Sequence, residues 1–125
     1  MAGVKLDGAG TQKLKTIEEA LLTLQKIHGL VERMALELKN QRPVGVLPSQ
    51  IKRTATPLQG QLKGQFGMIA DQMSAMILAT GRSGGDALKV RALREYVGQV
   101  RTALEMAASK VKEKHAVAIE TSPGD

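Results

Sequence analysis

Apolar side chains recur at helical spacing in the first third of the chain, where successive positions alternate steps of four and three residues. This spacing predicts a helix that begins at Thr11 or Thr16 and ends near Asn40, before Pro43. Thr16 and Glu19 match the capping box that satisfies free N–H groups at a helix start. The residues at this spacing, which would share one face of the helix, are Ile17, Leu21, Leu24, His28, Val31, Ala35 and Leu38.

A second helical pattern follows a segment rich in proline and glycine, from Gln41 to Thr56, in which Ser49 caps a short helical piece that carries Ile51 and Ala55. Proline is favoured at the first position of a helix, so the second long helix, which continues to Thr80, either begins at Pro57 or kinks there. Its apolar positions are Leu58, Leu62, Phe66, Ile69, Met73 and Met76. We expect Leu62, Phe66 and Ile69 in the core.

The third helical pattern begins after the connector from Gly81 to Gly85, with Asp86 as its cap, and frays after His115. Its apolar positions are Val90, Leu93, Val97, Val100, Leu104, Ala107 and Val111. Three amphipathic segments joined by modest loops predict an all-α fold, an antiparallel up-down-up three-helix bundle with long helices. The predicted divisions are a flexible N-terminus at residues 1–10, the bundle at 11–116 and a disordered tail at 117–125.

Composition narrows the functional classes. The chain of 125 residues contains no cysteine, which excludes disulfides, thiolate metal sites and thiol catalysis and favours a cytoplasmic location. Met1 to Thr11 lacks the apolar run of a secretory signal, and apolar stretches are far shorter than the roughly 20 residues of a membrane span. A single tyrosine and a single phenylalanine leave almost nothing on which nucleic-acid bases could stack.

The second predicted helix carries an unusual second face that is small and almost uncharged. Glycine costs about 1 kcal/mol relative to alanine inside a helix, so Gly60, Gly64 and Gly67 call for an explanation by close helix approach or flexibility. One interpretation is burial between the other two helices. The other is an interface with a protein partner or a second copy, formed by Gly60, Gly64, Gly67 and the adaptable side chain of Met68.

Lysine and arginine exceed the acidic residues, with 18 against 12 and a formal net charge of +6, which favours anionic partners. An up-down-up topology predicts that the end of the first helix, the start of the second and the end of the third form one basic pole. Its ligands would be an acidic protein surface, phosphate, nucleic acid or anionic lipid; the alternative is a solvated helix end. The pole consists of Lys39, Arg42, Lys52, Arg53, Lys110, Lys112 and Lys114.

His28 is the remaining candidate, because a histidine at the centre of a helix could carry a phosphoryl group in a signalling relay. The following residues, Gly29 to Arg33, match neither the phosphotransfer-domain pattern nor the start of a sensor kinase motif. Glu32, one turn further on, is the expected hydrogen-bond partner of His28. These two residues alone are too few to bind zinc, so we expect no metal site and no cofactor.

The function that fits these observations is a non-catalytic helical protein–protein interaction module, an adaptor or regulatory subunit with a basic pole for an acidic partner. No nucleophile or acid–base pair is recognisable, so we expect no enzyme activity. Two alternatives remain open. One is a phosphorelay component that uses His28, and the other is a nonspecific binder of nucleic acid or of an anionic membrane surface.

Overall fold

The computed structural model describes residues 5–82 and 84–117, and within them the chain forms four helices and a short strand pair. The all-α prediction is confirmed, whereas the prediction of three helices is wrong. Residues 1–4 and residues 118–125 of the predicted tail lie outside the described residues, whereas Val117, predicted as the first residue of that tail, is in a strand. The elements are β1 (Lys5–Leu6), α1 (Gly8–Lys39), α2 (Leu47–Lys63), α3 (Gly67–Thr80), α4 (Asp86–Lys114) and β2 (Ala116–Val117).

The four helices form an up-down-up-down bundle in which each helix packs against two neighbours. α1 contacts α2 and α4, and α3 also contacts α2 and α4. Lys52 near the start of α2 lines the same cavity as Thr80 at the end of α3, so these two helices run antiparallel. The start of α1 lies beside the end of α4, because the Asp7 N–H donates to the His115 carbonyl at 3.1 Å.

The second predicted helix is in fact two helices, α2 and α3, joined by a tight turn. Phe66 leaves the helical conformation, with φ −133° and ψ 61°, and the chain reverses there. The prediction failed because the apolar spacing from Leu62 through Phe66 to Ile69 continues across the turn as if the helix did. Phe66 itself is half-buried against the core.

The start of α2 rules out one of the two interpretations of Pro57. The helix begins at Leu47, ten residues before Pro57, which therefore lies inside the helix and does not begin it. Ile51 and Ala55, interpreted from the sequence as part of a short helical piece, belong to the same buried face as Leu58 and Leu62. Pro57 is solvent-exposed, so its ring lies on the side of the helix that faces away from the core.

The hydrophobic core runs along the inner faces of all four helices. Complete burial of one Leu, Ile or Met side chain contributes about 1.5–3 kcal/mol. In α1 the buried face includes Ile27 instead of the predicted His28, because a straight helix turns slightly away from a strict alternation of three and four. The buried residues are Ile17, Ala20, Leu24, Ile27, Val31, Met34, Leu47, Ile51, Ala55, Leu58, Leu62, Ile69, Ala70, Met73, Met76, Ala79, Thr80, Val90, Leu93, Val97, Val100, Leu104 and Val111.

Asp7 sets the start of α1, where the sequence analysis favoured Thr11 or Thr16. Its carboxylate accepts a hydrogen bond of 2.7 Å from the Gly10 N–H and so caps the helix. Thr16 is already inside the helix, and its hydroxyl donates to the Gln12 carbonyl. Residues 8–10, predicted as part of a flexible N-terminus, are therefore helical.

A group of contacts joins the start of α1 to the end of α4. We call it the terminal clasp, and it is formed by Asp7, Gly10, Lys13 and His115. β1 pairs antiparallel with β2, and His115 Nδ1 lies 3.2 Å from the Asp7 carboxylate. Lys13 Nζ lies 3.2 Å from His115 Nε2. A lysine ammonium can only donate, so Nε2 is the acceptor in this contact and Nδ1 is the ring nitrogen that faces the Asp7 carboxylate.

Gly10 is the residue on which the clasp depends sterically, because a Cβ at this position would clash with the Cβ of His115. We therefore expect Gly10→Ala to lower the free energy of unfolding by about 1–3 kcal/mol. Gly29 is the matched control, because it lies within the same helix and a Cβ there meets nothing within 4 Å. Gly29→Ala should raise stability by up to about 1 kcal/mol. Equal stabilisation in both variants, measured by denaturant titration, would contradict the clasp.

The clasp also predicts a dependence of stability on pH. The hydrogen bond from the Gly10 N–H, with smaller contributions from His115 and Lys13, lowers the pKa of Asp7. Because the folded-state pKa is depressed, the stabilisation is complete above the unfolded pKa of about 4 and disappears as pH falls through the folded value. Asparagine caps a helix about as well as aspartate. The melting temperature of Asp7→Asn should therefore lie below that of the wild type at pH 7 and approach it near pH 2. A difference in melting temperature that stays the same from pH 7 to pH 2 would contradict a stabilising role of the Asp7 charge.

Candidate functional site

An apolar depression between α3 and α4 is the first candidate site. It encloses about 400 Å³ beside the turn after α2 and faces the second half of α4. A shallower depression of about 640 Å³ continues along α4 toward Arg94 and shares Gln72, Ala103 and Met106 with the first. We call the two together the α3–α4 groove. Its apolar end is lined by Phe66, Met68, Ile69, Ala103, Met106 and Ala107, with Gln65, Gly67, Gln72 and Lys110 beside them.

The methionines of the described chain fall into two distinct groups. Met34, Met73 and Met76 have no exposed surface, whereas Met68 is 84% exposed and Met106 is 56% exposed. Both exposed methionines lie on the α3–α4 groove, one on each helix. A flexible, polarizable thioether suits surfaces that adapt to a partner. The groove therefore exposes two methionine side chains, whereas the methionines of the core are fully buried.

Gln72 is the second unusual residue of the α3–α4 groove. Its Oε1 atom is buried, and it accepts no hydrogen bond from any residue that the structure describes. An unsatisfied buried polar atom costs about 1–3 kcal/mol, so proteins rarely keep one without a use. Gln72 lines both depressions of the groove. Because its Oε1 atom has almost no exposed surface, a donor from a bound molecule would satisfy it once the side chain turns toward the groove.

The glycines predicted as a partner surface do not pack against other helices. A Cβ added at Gly60, Gly64 or Gly67 would meet nothing within 4 Å, and all three residues are exposed. Burial of these glycines between neighbouring helices is therefore wrong. Gly64 ends α2 and Gly67 begins α3, so both flank the turn at Phe66. Gly67 and Met68 line the α3–α4 groove, whereas Gly60 and Gly64 do not.

The basic pole predicted from a three-helix topology does not form. With four helices, the last one returns to the end where the first began, so Lys110, Lys112 and Lys114 lie beside the terminal clasp. Lys39, Arg42, Lys52 and Arg53 lie at the opposite end, and α1 alone spans about 48 Å between the two ends. Lys110 instead lines the α3–α4 groove. Anion binding by either half stays a prediction.

A different charged surface appears where the α1–α2 and α3–α4 connections meet. We call it the loop end, comprising residues 33–53, 77–82 and 84–91. Eight of the 18 lysines and arginines lie there with two of the 12 acidic residues, which leaves ten of each elsewhere. The loop end therefore carries the whole formal net charge of +6. Its basic residues are Arg33, Lys39, Arg42, Lys52, Arg53, Arg82, Lys89 and Arg91.

His28 lies at the edge of the interface between α1 and α4, with its side chain 41% exposed. Its Nε2 atom lies 3.6 Å from the Glu32 carboxylate, so the two side chains are neighbours but the expected hydrogen bond between them is not formed. Arg94 on α4 donates two hydrogen bonds of 2.8 and 2.7 Å to Glu32 and lowers the pKa of that carboxyl group. Within the described residues, no three histidine, aspartate or glutamate side chains come together as a metal site. His28 thus belongs to an ion-pair cluster that joins two helices.

Comparison with known protein families, curated proteins and solved structures finds no match to this chain. None of the helices in the described part of the chain is long and apolar enough to cross a membrane. The candidate surfaces are therefore judged on their own geometry and chemistry.

The separation of the methionines into core and surface groups predicts that substitution by alanine has a large effect on stability in one group and almost none in the other. Met73 is completely buried, so Met73→Ala should lower the free energy of unfolding by about 2–5 kcal/mol. Met68 is 84% exposed, so Met68→Ala should change it by less than about 0.5 kcal/mol. Chemical denaturation of both variants tests this directly. A large loss for Met68→Ala would mean that this side chain belongs to the core and not to a binding surface.

Proposed function

We propose that the chain is a non-catalytic helical interaction module, an adaptor or regulatory subunit acting in the cytoplasm, that binds an amphipathic helix of a partner protein in the α3–α4 groove. The observation that carries this proposal is the buried, unpartnered Oε1 of Gln72 in a depression that two exposed methionines also line. Such a site combines apolar contact area with one polar group that fixes orientation. In the free protein the two methionines remain exposed and Gln72 Oε1 has no hydrogen-bond donor among the described residues.

The shape of the groove favours a helical partner. From Lys110 to Arg94 the two depressions follow about 24 Å of α4, which is the length of roughly four helical turns. An amphipathic helix laid in such a groove places apolar side chains one turn apart against its floor. Met68 and Met106 would contact these side chains, and a hydroxyl or amide donor of the partner would reach Gln72. A rounded small-molecule ligand would use only part of this length.

The phosphorelay alternative receives less support from the geometry around His28. Phosphorylation of Nε2 would bring a phosphoryl group close to the Glu32 carboxylate, which lies 3.6 Å away, and like charges repel. Arg94 already donates two hydrogen bonds to Glu32, which orient its guanidinium toward that carboxylate. The cluster is therefore better suited to holding α1 against α4 than to accepting phosphate.

Site-specific photo-crosslinking in the native cell tests the proposed function. A photoreactive residue at Met68 or at Met106 should capture the same partner, with the crosslink mapping to an amphipathic helical segment. Leu22 on α1 is the matched control, because it is 65% exposed, apolar and outside the groove. Capture from Leu22 equal to that from both methionines, or crosslinks from the methionines only to a second copy of this chain, would overturn the proposal.

The variant Gln72→Leu separates a binding role from a structural one. Replacing the unsatisfied amide with an apolar side chain should raise the free energy of unfolding by about 1 kcal/mol. It should also reduce capture of the partner at Met68, because the donor of the partner loses its acceptor. Increased stability with unchanged capture would exclude Gln72 from the interface.

A further inference from the structure

The loop end combines a net positive charge with exposed apolar side chains. Four of the seven strongly exposed large apolar side chains lie there. They are Leu36 on α1, Val46 just before α2, Leu78 on α3 and Leu88 on α4, and they are 50–68% exposed. Each of the four corners of the bundle therefore contributes one apolar side chain to the same end.

The acidic residues of the loop end do little to offset its positive charge. Glu37 accepts a hydrogen bond of 2.8 Å from Arg42, and this is the one ion pair found within the loop end among the described residues. Asp86 lies in the first turn of α4, where a carboxylate interacts favourably with the helix dipole. Lys52 and Arg82 line a cavity of about 550 Å³ beside the exposed Leu78, and no acidic residue lines that cavity.

We propose that the loop end docks on an anionic membrane surface, with the four apolar side chains entering the interfacial region and the surrounding lysines and arginines contacting lipid phosphates. The proposal is independent of the α3–α4 groove. Docking of this kind needs no helix that crosses the membrane, since it uses only side chains at one end of the bundle. Basic residues near a membrane surface each add to the attraction by anionic lipids.

The arrangement of the apolar side chains favours lipid over the other anionic partners. They are exposed on or next to four different helices, so they are distributed over the end of the bundle and do not line a single groove into which a protein segment would fit. A deformable lipid surface accepts apolar side chains from all four corners at once. Nucleic acid offers phosphate but no apolar phase for leucine and valine, and the loop end has no aromatic side chain for stacking on bases.

Sedimentation with vesicles tests the proposal. The full chain should bind vesicles made of equal parts phosphatidylcholine and phosphatidylglycerol and should not bind vesicles of phosphatidylcholine alone. The triple variant Lys52→Gln, Arg53→Gln, Arg82→Gln should weaken binding on the order of 100-fold. The matched control is Lys15→Gln, Lys112→Gln, Lys114→Gln, which removes three exposed positive charges at the opposite end. The control variant loses the same three units of charge, but it should bind within about 2-fold of the wild type, because salt screens charges that lie more than about 10 Å from the lipid surface.

A second variant tests the apolar contribution separately. Leu78→Ser, Leu88→Ser keeps all charges and changes only exposed side chains, so its melting temperature should remain near that of the wild type. It should bind anionic vesicles at least 10-fold more weakly. Unchanged vesicle binding by this variant would overturn the proposal, and so would equal weakening by the two charge variants. Tighter binding to duplex DNA or to polyglutamate than to anionic vesicles would also overturn it.

Discussion

The reversal of the chain at Phe66 determines how the helices are arranged and where each surface of the bundle lies. It divides one apolar pattern into α2 and α3 and thereby changes the number of helices from odd to even. With an even number, the last helix ends beside the beginning of the first, so Asp7 meets His115 and the short strands pair. The same reversal places the two long connections at the other end. The terminal clasp, the α3–α4 groove and the loop end all depend on this single turn.

The sequence pattern was sufficient for the parts of the fold that depend on local spacing. The end of α1 near Asn40, the start of α4 at Asp86 and the burial of Leu62, Ile69, Val97 and Val100 agree with the structure. The turn at Phe66 could not be predicted, because a half-buried apolar side chain at a turn has the same spacing as one in a continuing helix. The cap at Asp7 is local, because it accepts from the Gly10 N–H, and it was missed because the glycines that follow it disfavour a helix. The contact of Asp7 with His115 could not be predicted, because the two residues are 108 apart in sequence.

The candidate sites show the same limit. Met68 and Gly67 were singled out from composition alone, and the structure places both on the α3–α4 groove. Met106 and Gln72 were missed because their significance depends on the pairing of α3 with α4, which spacing along one helix does not reveal. The basic pole was an inference from topology, so the wrong helix count separated residues that were expected together. Arg82 lies in a glycine-rich connector, where no local pattern predicts its position beside Lys52.

The terminal clasp has a further consequence for how the bundle can be connected to other sequences. Because Lys5 pairs with Val117, the backbone enters and leaves the bundle at neighbouring positions, about 48 Å from the far end of α1. Backbone positions this close permit a circular permutant that links Lys5 to Val117 and opens the connection between α3 and α4 instead. If another polypeptide were attached beside the clasp, the α1–α2 and α3–α4 connections would lie at the end of the bundle farthest from the point of attachment.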